Sequence, residues 1–284
     1  MVKTAVSTLG MPGCGLADAI ELATAFKLDG LELRLHPDTG IHAGLPGEER
    51  RAVRAAIEDA GLEIPVLAGY VRIAAEGPDE PAVAALRADL QLASDLGAEA
   101  VRVFPGGNDL DAATRRLLAV ADLGVRVLVE IHDDLPTGAS VATLLNRASA
   151  AAPAAPRRRP PSRPPSSPSP GPDTPPIRSG EQLQVGAIWD VLHPWRSGEH
   201  PDATVSALGQ WLDYVQIKDA ASDLTPVPLG TGGVPLDEVR EALAAVGYEG
   251  WISLEWERTW YPHSVPVEEA LPGALAWIDT YRKA

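Results

Sequence analysis

The stretch Val125–Glu130, VRVLVE, decides the fold. It is a β-branched apolar run that follows Gly124 and ends on a carboxylate. Strands buried on both faces read as near-continuous apolar runs of this kind. Three later runs close in the same way: Ala187–Asp190 (AIWD), Tyr214–Gln216 (YVQ) and Trp251–Glu255 (WISLE). In α/β barrels the C-terminal ends of the strands carry the chemistry. Three carboxylates and one amide oxygen gathered there would form an oxygen-rich site for a hard divalent cation.

Outward from these runs, strand and helix patterns alternate. Val2–Ser7 reads as a strand and Leu16–Leu28 as a helix, and Gly30–Leu35 and Gly47–Ala60 repeat the pair. Ile64–Ala68 and Ala100–Phe104 read as strands flanking a helix at Glu80–Leu96, with Gly97 where a C-terminal glycine belongs. Asp109 or Asp111 caps a helix reaching Asp122, and another helix lies near Gly138–Ala148. Strands at Val185–Asp190, Tyr214–Ile217 and Trp251–Glu255 then alternate with helices at Asp202–Leu212, Leu236–Val246 and Val267–Tyr281.

Eight strands alternating with eight helices imply a parallel sheet. A (β/α)8 barrel takes about 250 residues. The chain has 284, so length, strand count and strand-end polar groups favour one TIM barrel over residues 1–284. No Gly-x-Gly-x-x-Gly follows an early strand, which weakens a dinucleotide-binding alternative.

The pattern breaks at Pro153–Pro176, where 11 of 24 residues are proline and Arg157, Arg158, Arg159 and Arg163 are interspersed. Proline fixes φ and lacks an N–H, so neither helix nor sheet is expected. This reads as a disordered insertion between the fifth helix and the sixth strand. A ligand for a proline-recognising module and a stretch translated out of frame are the alternatives.

Composition narrows the function. Apolar residues make up 45%, enough for a core, and the net charge is −15. Such a surface repels phosphate backbones, so no nucleic-acid partner is expected. The lone Cys14 excludes an internal disulfide and a cysteine zinc site, and it reads as a loop thiol rather than a nucleophile. The start, MVKTAVSTLG, has no apolar core of signal-peptide length, and no segment approaches the roughly 20 apolar residues of a membrane span. A cytoplasmic protein with no membrane partner is the expectation, and a homo-oligomer is compatible with it.

Side chains on a strand alternate. Leu128 and His132 share a face with Glu130, and Ser253 and Glu257 share one with Glu255. Gln216 shares one with Lys218, and His193 falls three residues past Asp190. Glu32 and Arg34 on the second strand and Arg102 on the fourth also face the pocket. The plain structural alternative for these is an ion pair between Glu32 and an arginine. Lys218 would polarise a carbonyl, or else pair with Asp219 or Glu257. Gly230–Gly233, GTGG, is too short for a P-loop and reads as a flexible turn. Trp189, Trp195, Trp256 and Trp260 are candidates for packing or for stacking on a sugar ring.

Five strings in order carry a resemblance: DGLELR, VLVEIH, WDVLHPW, VQIKDA, and PLGTGGVPLDEV followed by GYEGWISLEWE. The chain resembles the xylose isomerase-like barrels of sugar isomerases, epimerases and inosose dehydratases, to which endonuclease IV is related. The resemblance covers nearly everything outside residues 150–184. It implies a metal held by Glu130, Asp190, Gln216 and Glu255, with His193 on the substrate beside it. It also implies that Glu130 and Glu255 are the acid/base pair.

The family more usually has His where Gln216 stands. An amide oxygen in place of imidazole moves the preference from zinc toward Mn2+ or Mg2+. The implied activity is a metal-dependent isomerase or epimerase acting on a sugar, sugar phosphate or polyol through an enediolate. The alternatives are a keto-inositol dehydratase on the same metal site and a barrel whose metal site has decayed. His132, Arg34, Arg102, Lys218 and Glu257 complete the candidate substrate-binding set.

Overall fold

A computed structural model of the chain describes residues 1–152 and 183–283. Strands β1 (Lys3–Ser7), β2 (Gly30–Arg34), β3 (Val66–Arg72), β4 (Ala100–Phe104), β5 (Arg126–Glu130), β6 (Val185–Asp190) and β7 (Leu212–Ile217) follow one another in the chain. A two-stranded hairpin, β8 (Asp219–Ala220) and β9 (Pro226–Val227), precedes the last strand, β10 (Trp251–Leu254). The eight longer strands close in the order β1-β10-β7-β6-β5-β4-β3-β2, and every ladder is parallel. This is the expected TIM barrel. Residues 153–182, which contain the expected insertion, lie outside the described residues.

The helices are α1 (Leu16–Ala25), α2 (Gly47–Asp59), α3 (Asp79–Leu96), α4 (Leu110–Leu118), α5 (Gly138–Ala151), α6 (Leu192–Arg196), α7 (Pro201–Leu208), α8 (Leu236–Ala245) and α9 (Val267–Tyr281). Asp109 caps α4 by accepting the Ala112 N–H at 2.9 Å, and Gly97 closes α3 in the left-handed region at φ 76°. The helix expected to reach Asp122 stops at Leu118 and resumes as a 3-10 turn, Ala121–Leu123. β3 begins two residues later than expected, because Pro65 has no N–H for the ladder. It also runs on to Arg72 past a register shift, which carries Tyr70 to the barrel mouth.

Period-two alternation sorts two cores. Trp189, Ile252, Leu254 and Trp256 point outward and are buried in the layer shared with the helices. Each such side chain contributes about 1.5–3 kcal/mol by leaving water. Inside the barrel, Ala5, Val66, Ala100, Leu128, Ile188, Tyr214 and Trp251 form a separate apolar plug. Two residues further along their strands stand Arg102, Glu130, Asp190 and Gln216, all buried. The plug therefore forms the floor of a polar chamber at the C-terminal end of the strands.

Candidate active site

Each polar side chain of the chamber reaches it through strand register. Asp190 on β6 lies opposite Gln216 on β7, and Gln216 lies opposite Ser253 on β10, two residues before Glu255. The Asp190 Oδ1 accepts the Leu192 N–H at 2.9 Å, which starts α6 and turns His193 back over the chamber. His193 Nε2 then sits 3.2 Å from Asp190 Oδ2.

Two buried cations tie the carboxylates together. Arg102 Nη1 donates to Glu130 at 3.0 Å and to Glu255 at 3.3 Å, while its Nε and Nη2 donate to the Gly69 carbonyl. Lys218 Nζ bridges Asp190 at 2.7 Å, Glu257 at 2.8 Å and Glu255. Asp219, one of its two expected partners, faces elsewhere; Glu257, the other, is confirmed. Gln216 Nε2 donates to Glu255 Oε1 at 3.0 Å and to Glu32 Oε1 at 3.1 Å. Among the described residues Glu32 forms no ion pair with an arginine, and Arg34 pairs with Asp38 at 2.7 Å.

Charge and burial set the protonation. Burial pushes the Glu255 carboxyl up to about 7, against the pull of Lys218. Burial also holds Glu130 well above the usual carboxylate range, with Arg102 opposing. For Asp190, burial is outweighed by Lys218 and His193, which hold its carboxyl below that range. Burial acts to lower Lys218, yet Asp190, Glu255 and Glu257 outweigh it and keep the ammonium charged. Burial, then the neighbouring His193, drives His132 down to about 4, so it is a neutral imidazole at physiological pH.

An aromatic arc lines the mouth along the ends of β2 to β6. His36, Tyr70, Phe104, His132 and His193 follow one another with ring-centroid separations of 6.3, 6.0, 4.7 and 4.1 Å. Arg34 closes the arc: its Nε donates to the Tyr70 hydroxyl at 2.7 Å, and Trp260 lies 5.3 Å from its guanidinium. Trp189 and Trp256 are packing residues, whereas Trp260 is 55% exposed at the mouth. A groove of about 490 Å3 lined by Pro226, Pro228, Trp260 and Tyr261 runs beside the chamber.

Tyr70 and Asp38 were not foreseen. Tyr70 continues the inward alternation of Val66 and Ala68, so the signal existed once the strand was long enough. Gly230–Gly233 also differs from the expected flexible turn. The Asp219 carboxylate accepts the N–H groups of Gly230 at 2.9 Å, Gly232 at 2.8 Å and Val234 at 3.0 Å. A Cβ on Gly232 would lie 2.3 Å from Asp219 Oδ1, so the position admits only glycine. The loop is clamped.

The donor set has the oxygen chemistry that a divalent cation takes. Glu32, Glu130, Asp190 and Glu255 are four buried carboxylates, and Arg102 and Lys218 are the buried cations among them. Four against two leaves two negative charges that only protons or a cation can offset. Gln216 Oε1 is buried with no hydrogen-bond partner among the described residues. Among the described residues, the acidic and histidine side chains whose single ligand atoms lie within 4.8 Å of one another are Glu130, His132 and His193, while Asp190 and Glu255 are drawn to Lys218.

Residues 20–150 and 180–281 match the model of the xylose isomerase-like TIM barrel, and the chain belongs to that family. A Streptomyces coelicolor protein named "Putative hydroxypyruvate isomerase" is 28% identical over 252 residues, covering 83% of this chain and 81% of its own. Among solved structures, a D-psicose 3-epimerase crystallised in the presence of D-fructose superposes with a TM-score of 0.71 at 14% identity, covering 97% of this chain and 98% of its own. The IOLI protein with a bound zinc atom gives 0.69 at 14%, covering 99% and 98%. The "probable 3-DHS dehydratase AsbF" of Bacillus anthracis gives 0.68 at 19%, covering 95% and 96%. At these identities the structures establish the shared fold. Among the described residues, no helix is long and apolar enough to cross a membrane.

Proposed function

We propose that the chain is a divalent-metal-dependent isomerase or epimerase of a small α-hydroxy carbonyl compound, a sugar or a sugar-derived acid. The observation that carries this reading is the gathering of four buried carboxylates against two buried cations beside the unpartnered Gln216 Oε1. Glu130, Asp190, Gln216 and Glu255 would hold one cation, with Mn2+ or Mg2+ favoured over zinc by the oxygen donors. When bound, the cation supplies electrostatic stabilisation of the charge that develops on substrate oxygens.

The chain's own residues move the proton. Glu255, held by Arg102 and Lys218 at the end of β10, would remove the proton from carbon. Glu130, on the other side of Arg102, would return one. Arg102 bridges the two and fixes their separation. Arg34 is the mouth cation left for substrate, since its Nη2 donates to nothing among the described residues while Nε and Nη1 are taken. The S. coelicolor relative's name directs the first substrate trials to short hydroxy-oxo acids.

A dehydratase is the second reading. It is favoured by the neutral His132, whose ring centroid is 4.1 Å from that of His193. An imidazole pair above the carboxylates offers a further proton carrier for a leaving hydroxyl. Mass spectrometry of incubations with candidate ketoses, hydroxy-oxo acids and keto-inositols decides between the two. Unchanged mass with a new isomer supports isomerisation, loss of one water supports dehydration, and no turnover of any candidate with Mn2+ present counts against both.

A further inference from the structure

Glu32 is the one buried carboxylate of the chamber that the proposed chemistry leaves unused. It stands on β2, separated from Gln216 on β7 by two strands, β1 and β10. Its Oε1 accepts the Gln216 amide at 3.1 Å, and the same Nε2 donates to Glu255 Oε1 at 3.0 Å. Both N–H groups of the amide are thereby committed to carboxylate oxygens. The reversed amide would set Gln216 Oε1 against those two oxygens, acceptor facing acceptor, which places like partial charges at hydrogen-bond distance.

We propose that Glu32 is a positioning residue that locks the Gln216 side chain with its oxygen, and not its nitrogen, available to the cation. The inference rests on Gln216 being a metal ligand. An amide is nearly symmetric in shape, so packing alone does not choose its orientation; the hydrogen-bond partners do. An imidazole ligand would use an acceptor behind it to fix its tautomer, but either ring nitrogen can coordinate, so it has no choice between oxygen and nitrogen to lose. A glutamine ligand can present the wrong atom unless an acceptor faces its nitrogen, and Glu32 supplies that acceptor. The buried, unpartnered Oε1 is the result.

The test is Mn2+ binding to chelator-stripped, full-length protein, followed by the electron paramagnetic resonance signal of free Mn2+. Glu32→Gln should weaken binding by about 10–100-fold, the usual cost of removing a partner that orients a ligand. Its new amide can donate to Gln216 Oε1 and so permits both orientations. The same change made on top of Gln216→His should cost less, because the carbonyl of the new amide can still accept the imidazole N–H and keep the ring oriented.

Equal losses in the two backgrounds would overturn the proposal, since Glu32 would then act through charge alone. Gln216→Leu separates the underlying reading. If that variant binds Mn2+ as tightly as the unaltered protein, Gln216 is not a ligand and the inference falls with it. Should Glu32→Gln fail to fold by circular dichroism, Glu32→Asp keeps the charge and withdraws the oxygen by one methylene. Weakened Mn2+ binding in the Gln216 background alone then supports the lock, and an equal effect in both backgrounds overturns it.

Discussion

Asp219→Ala should destabilise the barrel mouth by a predictable amount. The buried Asp219 carboxylate accepts three N–H groups from a loop eleven to fifteen residues away, at 2.9, 2.8 and 3.0 Å. Hydrogen bonds to a charged group are worth about 1.5–3 kcal/mol each when the donor is left unsatisfied. The Val234 N–H is buried and loses its partner outright, as does the buried Ala220 N–H, which donates to the same carboxylate at 2.9 Å, whereas Gly230 and Gly232 lie nearer solvent, where water replaces part of the loss. Two full and two partial losses amount to about 4–6 kcal/mol. For a domain of this size that lowers Tm by roughly 10 °C. Thermal unfolding followed by circular dichroism at pH 7 measures it. Gly232→Ala, whose Cβ would meet the same carboxylate at 2.3 Å, should act in the same direction. A fall of less than about 2 °C for Asp219→Ala would mean that the loop is held by other contacts and that the clamp is incidental.

Glu255→Gln should abolish turnover with the fold intact by circular dichroism, because it removes a proton carrier and an oxygen ligand together; a loss of only a few-fold would refute the acid/base assignment. Gln216→His should shift metal preference toward zinc or cobalt, and unchanged selectivity in competition experiments would place Gln216 away from the ion. Asp89 on α3 tests the electrostatics away from the site, because burial pushes its carboxyl up to about 6. The folded state then holds this proton more tightly than the unfolded chain, so stability falls as pH rises from about 4 through 6. Asp89→Asn should raise stability at pH 7 by about 2 kcal/mol and flatten that pH dependence, measured by urea unfolding at both pH values.

The barrel was legible because its strands are short, apolar and closed by polar residues, and period-two alternation placed Glu130, Asp190, Gln216 and Glu255 correctly at their ends. What the sequence did not show is pairing. The Lys218–Glu257 pair was expected, but Asp190 and Glu255 join it because the ends of β6 and β10 both meet the ammonium, and no local pattern encodes that meeting. Arg34 takes Asp38 from the loop after its own strand, and Glu32 is thereby left for Gln216 across the barrel. Tyr70 was hidden by a strand end set at Ala68, where the ladder shifts register and continues. The glycines of residues 230–233 suggested freedom, yet the anchor that removes it, Asp219, sits eleven residues upstream of the first of them.

The central claim is one divalent cation on the ends of β5, β6, β7 and β10. Isothermal titration of Mn2+ into chelator-stripped protein tests it most directly. The account predicts one equivalent bound, with affinity collapsing in Asp190→Asn and Gln216→Leu but surviving in His132→Ala. Failure to bind Mn2+, or binding that survives Asp190→Asn and Gln216→Leu but is lost in His132→Ala, would contradict it. The latter would assign the ion to Glu130, His132 and His193 instead.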